Sequence, residues 1–212
     1  MSVWAIVVAA GTGSRFGAPK QFEQLQGHRV VDWSVAASRS VAEGVVVVVP
    51  ADRVDDAIPA TDTDCHGGAA NTIVVAGGAT RSASVRAGLA AVPPEADVIV
   101  VHDAARPFAP PALFEAVVVA VRAGADGAVP GVALPDTVKQ VRDGEVIATV
   151  DRSDLVAVQT PQAFAASALR RAHGGGAEAT DDAALVEAAG GRVWVVPGDA
   201  ANTKITHRGD LA

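Results

Sequence analysis

The segment that most restricts the architecture is an unbroken apolar run, Trp4 to Ala10, that empties directly into glycine. A strand with one wet face alternates apolar and polar residues. This one does not, so it reads as a strand covered on both faces, the situation of a parallel sheet with helices above and below. The loop after it is Gly11-Thr12-Gly13-Ser14-Arg15-Phe16-Gly17-Ala18-Pro19-Lys20. Glycines allow a tight turn and bring backbone N–H groups close to a phosphate. Arg15 and Lys20 add two fixed positive charges to the same loop. The segment reads as a nucleoside-triphosphate site. It is not a Walker A loop, because Phe16 or Ala18 stands where the second glycine is needed. Nor is it a dinucleotide fingerprint: Phe16 holds the third glycine position, and Asp32, at about the right distance, falls inside the helical-looking VVDWSVAASRS.

The rest of the chain alternates in the same manner. Val30 to Val41 reads as a helix and Val45 to Val49 as a valine strand closed by Pro50. After an Asp-, Gly- and Ala-rich loop, Thr72 to Ala76 reads as another buried strand, followed by Gly77-Gly78 and a helix through Ala91. Asp97 to Val101 is a fourth strand, ending in His102-Asp103-Ala104-Ala105-Arg106-Pro107, and Pro110 to Ala123 the next helix. Strand, loop and helix in succession give an α/β fold, and ligands in such sheets sit beyond the carboxyl ends of the strands. The loops at Gly11, Gly77 and His102 are therefore expected side by side.

Beyond Gly127 the pattern changes. Ala128 to Leu134 is strand-like, and two alternating segments, Thr137 to Val141 and Glu145 to Val150, flank Asp143-Gly144. That is a hairpin signal. A hairpin inserted in an α/β chain has few apolar partners of its own, so it is expected to pack on another subunit. Val156 to Gln162, a helix from Phe164, a glycine break at 174–176 and a helix with Thr180 as N-cap follow, then a strand from Val193 to Val196.

Composition narrows the partners. A net charge of −7 over 212 residues argues against a nucleic-acid binder, so anions must be held by local cationic clusters. The N-terminal apolar run is too short to span a membrane. Cys65 is the only cysteine, which excludes an intrachain disulfide and a cysteine-rich metal site, and its neighbour His66 has no ligand spacing around it. The expectation is a cytoplasmic protein, one unit over residues 1–212 with no internal repeat. Of 17 basic residues only three are lysine: Lys20, Lys139 and Lys204. Lysine is a compact charge on a flexible stem, suited to a phosphate whose charge moves during reaction.

The segments AAGTGSRFGAPKQF, GGATRSASVRAGL, VHDAARPF, DTVK, TVDRSDL, QTPQAF, ATDDAALVEAAG and NTKIT occur in this order along nearly the whole chain. Together they resemble the bacterial 2-C-methyl-D-erythritol 4-phosphate cytidylyltransferases. The glycine loop alone is shared by many sugar-nucleotide pyrophosphorylases; HDAARP with TPQ and TDD is the specific part.

The resemblance implies a Rossmann-like nucleotidyltransferase fold: a mostly parallel sheet with helices on both faces and an extended β-hairpin dimerisation arm at about 133–157. It implies transfer of CMP from CTP to methylerythritol phosphate, with Mg²⁺ held through the CTP phosphates and no certain protein ligand, in a homodimer. Arg15 and Lys20 match the family's catalytic pair, joined by Arg152 and Lys204. Ala9, Ala10, Gly11, Gly13, Gly78, Ala79, Ser84, Asp103 and Ala104 match CTP contacts. Asp103, Arg106, Thr137, Arg152, Thr160, Thr180 and Lys204 match acceptor contacts, with Thr137 and Arg152 reaching a neighbouring subunit. Ala79 departs from the pattern by offering no side-chain contact to the base. The chain ends at Ala212 with no second catalytic segment, the expectation for a form that is not the bifunctional fusion. A ribitol-5-phosphate cytidylyltransferase and a non-catalytic nucleotide-sensing subunit remain as alternatives, while the failed fingerprint disfavours a nicotinamide dehydrogenase.

Overall fold

A computed structural model describes residues 1–14, 16–56 and 71–211. Arg15 and the Cys65–His66 pair lie outside the described residues. In chain order the elements are β1 (Val3–Val8), a ribbon of β2 (Gln24–Leu25) and β3 (His28–Arg29), α1 (Val30–Ser38), β4 (Gly44–Val49), β5 (Asn71–Ala76) and α2 (Arg81–Ala91). Then come β6 (Val98–Asp103), α3 (Pro111–Arg122), β7 (Gly127–Ala133), β8 (Val138–Arg142) and β9 (Glu145–Val150). The chain closes with β10 (Val156–Val158), β11 (Gln162–Ala165), α4 (Ala166–His173), α5 (Asp182–Ala188) and β12 (Val193–Pro197).

Eight of these strands form one sheet. β5, β4, β1 and β6 lie side by side in parallel, β11 pairs antiparallel with both β6 and β7, and β7 also takes β10 antiparallel and β12 parallel. β1 sits in the middle because its run can be covered on both sides. Ala5 and Val7 face one core with Phe114 and Val117 of α3 and Val35 of α1. Trp4 and Ile6 face the other, with Val85 and Leu89 of α2 and Leu169 of α4. The period of two in a strand sends neighbours to opposite faces, and here both faces are dry. The chain moves outward from β1 through β4 to β5 and then returns to β1's other side as β6. That reversal is a topological switch point, where a crevice opens beyond the carboxyl ends of the strands.

Three readings of the sequence are corrected. β5 is not buried on both faces: among the described residues it lies at the sheet edge, with Thr72 to Val75 half covered and Asn71 and Ala76 exposed. Phe164 does not begin a helix; it is a fully buried residue of β11, and α4 starts at Ala166. Its strand state comes from insertion between β6 and β7, a long-range pairing that overrides local pattern. Thr180 is not the cap of α5. Asp181 is, its side chain accepting from the Ala184 N–H at 3.0 Å. The hairpin stands as expected: β8 and β9 pair antiparallel, and Asp143 and Gly144 both have positive φ (50° and 85°), the primed turn that suits twisted strands. It packs chiefly on itself and leaves Val141, Val146 and Ile147 exposed. No described helix is long and apolar enough to cross a membrane.

Candidate functional site

Three loops meet at the switch point. The first follows β1, and its shape is set by a buried glutamine. Gln21 Nε2 donates to the carbonyls of Ala9 (2.7 Å) and Gly11 (2.9 Å), pinning both sides of the turn. Gly13 takes φ +67°, where a Cβ would overlap the Ala18 carbonyl, so glycine is required there. Its own carbonyl accepts from Phe16 and Gly17. Phe16 is buried with Leu25, Val30 and Ile205, beneath the Arg208 guanidinium at 5.2 Å. Lys20 begins a short 3₁₀ turn, and its ammonium donates to the Ile205 carbonyl, tying the first loop to the C-terminal tail.

The second loop joins β5 to α2. A Cβ on Gly77 would overlap Ala10, so the two glycine loops touch only because Gly77 has none. Thr80 caps α2 by accepting from Ala83 N–H at 3.0 Å. The Ser84 hydroxyl accepts from Gly78 N–H (3.2 Å) and donates to the Thr80 carbonyl (2.9 Å), bracing the loop from inside the helix.

The third loop follows β6. The Asp103 carboxylate lies between two cations: Oδ2 is 2.7 Å from Lys204 Nζ, and Oδ1 is 3.4 Å from Arg81 Nε. Burial alone would raise its pKa, but Arg81 and Lys204 hold it well below the usual carboxylate range. Asp103 is therefore an anion at any ordinary pH. The Asp103 N–H donates to Thr160 Oγ1 at 3.0 Å. Thr160 is 3.1 Å from His102 Nδ1, whose Nε2 is 3.2 Å from the Arg106 carbonyl. A carbonyl only accepts, so Nε2 carries the proton and Nδ1 accepts from the threonine hydroxyl. His102 has no exposed surface, and burial pulls its pKa down to about 4. It is a neutral tie between β6 and the bend at Thr160, with both nitrogens spent. Arg106 donates to the Asn202 carbonyl at 2.7 Å, and buried Asn202 donates to that of Thr160 at 2.9 Å.

These loops enclose two adjoining cavities of about 510 and 140 Å³. The larger is lined by Ala9, Ala10, Gly11, Gly13, Lys20, Gly78, Ala79, Ser84 and Ala104, all anticipated from the sequence. The smaller is lined by Arg106, Thr160 and Thr180. Asp103, Lys204 and Arg81 line both. Thr137 and Arg152 line neither. Arg152 stands at the root of the hairpin, exposed, and donates to the carbonyls of Leu134 and Asp136. Sequence reading missed Arg81, Gln21 and Thr206 as wall residues. Arg81 had a signal, as a lone guanidinium three residues after Gly78; Gln21 had none, because its role is to hold carbonyls. Among the described residues no three His, Cys, Asp or Glu side chains gather as a metal cage.

A larger cavity walled by glycine loops and a smaller one walled by hydroxyls, with Arg81, Asp103 and Lys204 common to both, suits joining two phosphate-bearing molecules. A family model described as IspD: 2-C-methyl-D-erythritol 4-phosphate cytidylyltransferase matches residues 3–212. The bifunctional enzyme IspD/IspF of Clavibacter michiganensis subsp. michiganensis is 50% identical over 212 residues, covering 97% of this chain and 52% of that protein. The 2-C-methyl-D-erythritol 4-phosphate cytidylyltransferase of Saccharopolyspora erythraea is 45% identical over 221 residues, covering 100% of this chain and 97% of the relative. The chain thus spans about half the length of the bifunctional relatives it matches. The crystal structure of the 2-C-methyl-D-erythritol 4-phosphate cytidylyltransferase from Thermus thermophilus superposes with TM-score 0.79 at 36% identity, covering 100% of this chain and 96% of that one.

Proposed function

The chain belongs to the IspD, 2-C-methyl-D-erythritol 4-phosphate cytidylyltransferase, family, and from that premise we propose that it transfers CMP from CTP to 2-C-methyl-D-erythritol 4-phosphate, releasing pyrophosphate, in the non-mevalonate route to isoprenoids. The observation that carries this reading is the pair of cavities sharing Arg81, Asp103 and Lys204. The larger has the volume and the glycine-loop walls for a nucleoside triphosphate, and the smaller has the cations and hydroxyls for a polyol phosphate.

The reaction needs position and charge more than acid–base chemistry. A phosphate oxygen of the acceptor, already ionised near neutral pH, attacks the α-phosphorus of CTP. The new P–O bond forms as the α–β bond breaks, and pyrophosphate leaves without any proton being moved. Lys20 and Arg15 hold the triphosphate, and Lys204 draws the acceptor phosphate to the gap, so two polyanions are lined up and the added charge is spread. His102 takes no part, since both of its ring nitrogens are occupied. Asp103 has both oxygens against cations, so the described residues do not fit a protein-held metal. Mg²⁺ would be carried by the nucleotide and would offset part of the triphosphate charge, leaving the remainder to Lys20 and Arg15.

The active unit in this reading is a cytoplasmic homodimer. Thr137 and Arg152 stand on the segment between β7 and β10, whose hairpin packs chiefly on itself, and in this reading they complete the acceptor pocket of a second copy. Exposed Val141, Val146 and Ile147 supply the apolar surface for that contact. The test is pyrophosphate release with CTP, Mg²⁺ and either methylerythritol phosphate or ribitol phosphate. Turnover with the first alone is expected. Turnover with ribitol phosphate alone would reassign the acceptor, and silence with both, alongside tight CTP binding, would reduce the protein to a nucleotide sensor.

A further inference from the structure

Building on the reading above, we propose that Arg81 is a positioning residue that fixes Asp103, and through it Lys204, at the junction of the two cavities, and that buried Asp182 and His173 are the mount that aims it. Arg81 is the first residue of α2, and its guanidinium spans two carboxylates. Nη1 donates to Asp182 Oδ2 at 2.7 Å, while Nε faces Asp103 Oδ1 at 3.4 Å. Asp182, the first residue of α5 and 101 positions further along, has no exposed surface. Its other oxygen lies 2.9 Å from Nε2 of His173, itself buried at the end of α4.

A carboxylate with no exposed surface has lost its hydration and persists only with partners on its lone pairs. A buried ion pair adds little net stability over an apolar filling of the same volume. What this one supplies is direction. The guanidinium is planar, with nitrogens pointing along separate vectors, so it serves Asp182 with one and Asp103 with another. Asp103 is in turn divided: Oδ1 is held by Arg81 and Oδ2 faces Lys204. With Oδ1 held from the α2 side, the carboxylate cannot rotate both oxygens onto the ammonium. Lys204 keeps part of its charge for an acceptor phosphate. Without Arg81 the aspartate closes on Lys204 and withdraws that charge.

An ammonium has the charge of Arg81 but not its two vectors, so Arg81→Lys is the informative variant. Its kcat/KM for methylerythritol phosphate is expected to fall about tenfold or more, and by a clearly larger factor than CTP affinity measured by calorimetry. Added to Asp103→Asn, the same change is expected to cost less than about twofold more, because it acts through Asp103. An Arg81→Lys enzyme with unaltered acceptor kinetics overturns the proposal. So does a full multiplicative loss in the double variant, or a loss of CTP binding in step with acceptor turnover. If Arg81→Lys fails to fold, Asp182→Asn keeps the shape and an oxygen for Arg81, and must show the same acceptor-selective loss. Wild-type turnover measured alongside separates the two levels: a silent wild type sinks the functional reading, whereas an active wild type with an indifferent Arg81→Lys sinks only this one.

Discussion

At the scale of single residues, the cations and the buried histidine make opposite demands on the protein. Lys20 is half-buried, reaches the Ile205 carbonyl and lines the larger cavity, so its charge stands where a triphosphate would lie. Lys20→Ala should lower kcat by about 100-fold or more, the scale of losing one charge stabiliser, while the melting temperature moves by only a few degrees. A stopped assay for pyrophosphate beside a thermal melt checks both halves; a variant that unfolds would assign Lys20 to tail packing instead. His102 is held neutral by burial, with a pKa of about 4 against 6.5 for a free imidazole. The unfolded chain takes up a proton below 6.5 that the native state refuses until about 4, so stability is full above 6.5 and falls with pH across that window. The loss amounts to about 3 kcal/mol by pH 4. Further loss below the ordinary aspartate range belongs to Asp103, whose carboxyl stays ionised in the fold after the unfolded one has taken its proton. Urea melts between pH 7 and 4 should show this slope in wild type and a flatter one in His102→Gln; equal slopes would exclude His102 as its source.

At the scale of elements, the strands of the parallel half and the hairpin are legible in the sequence within a residue or two, because burial on both faces and a primed turn each leave a local mark. The failures share one cause. β11 reads locally as the start of a helix, and β5 as a buried strand, since neither being squeezed between β6 and β7 nor lying at the edge of the described sheet changes the sequence of the segment itself. The hairpin carries the element-scale prediction. Because it packs chiefly on itself, placing carboxylates at Val146 and Ile147 should leave the body folded. We expect Val146→Asp with Ile147→Asp to sediment as a monomer, bind CTP normally and lose turnover. A double variant that stays dimeric, or a monomer with full activity, would remove the arm from the mechanism.

For the whole molecule, the smaller cavity is walled by its own chain on the side of Arg106, Thr160 and Thr180, whereas Arg152 and Thr137 are carried away on the arm. If each acceptor pocket is shared between copies, two dead variants should rescue one another. Mixing Lys20→Ala with Arg152→Ala and allowing exchange should restore about a quarter of wild-type sites, since half the dimers are mixed and each mixed dimer has one intact pocket. Activity that never rises above that of the separate variants would mean that each subunit works alone. The sequence by itself determined the α/β class, the glycine loops, the hairpin and most residues of the cavity walls. The class, the loops and the hairpin rest on local chemistry (apolar runs without alternation, glycines before a charge, a primed turn), whereas most of the cavity-wall residues came through the resemblance of whole segments to a known family. Only the tertiary structure decided that Gln21 braces the first loop, that His102 is a spent tie, and that Arg81 joins Asp103 to a buried carboxylate 101 residues away. Those roles are distances between segments far apart in the chain, and a side chain's partner is set by the packing that brings it near.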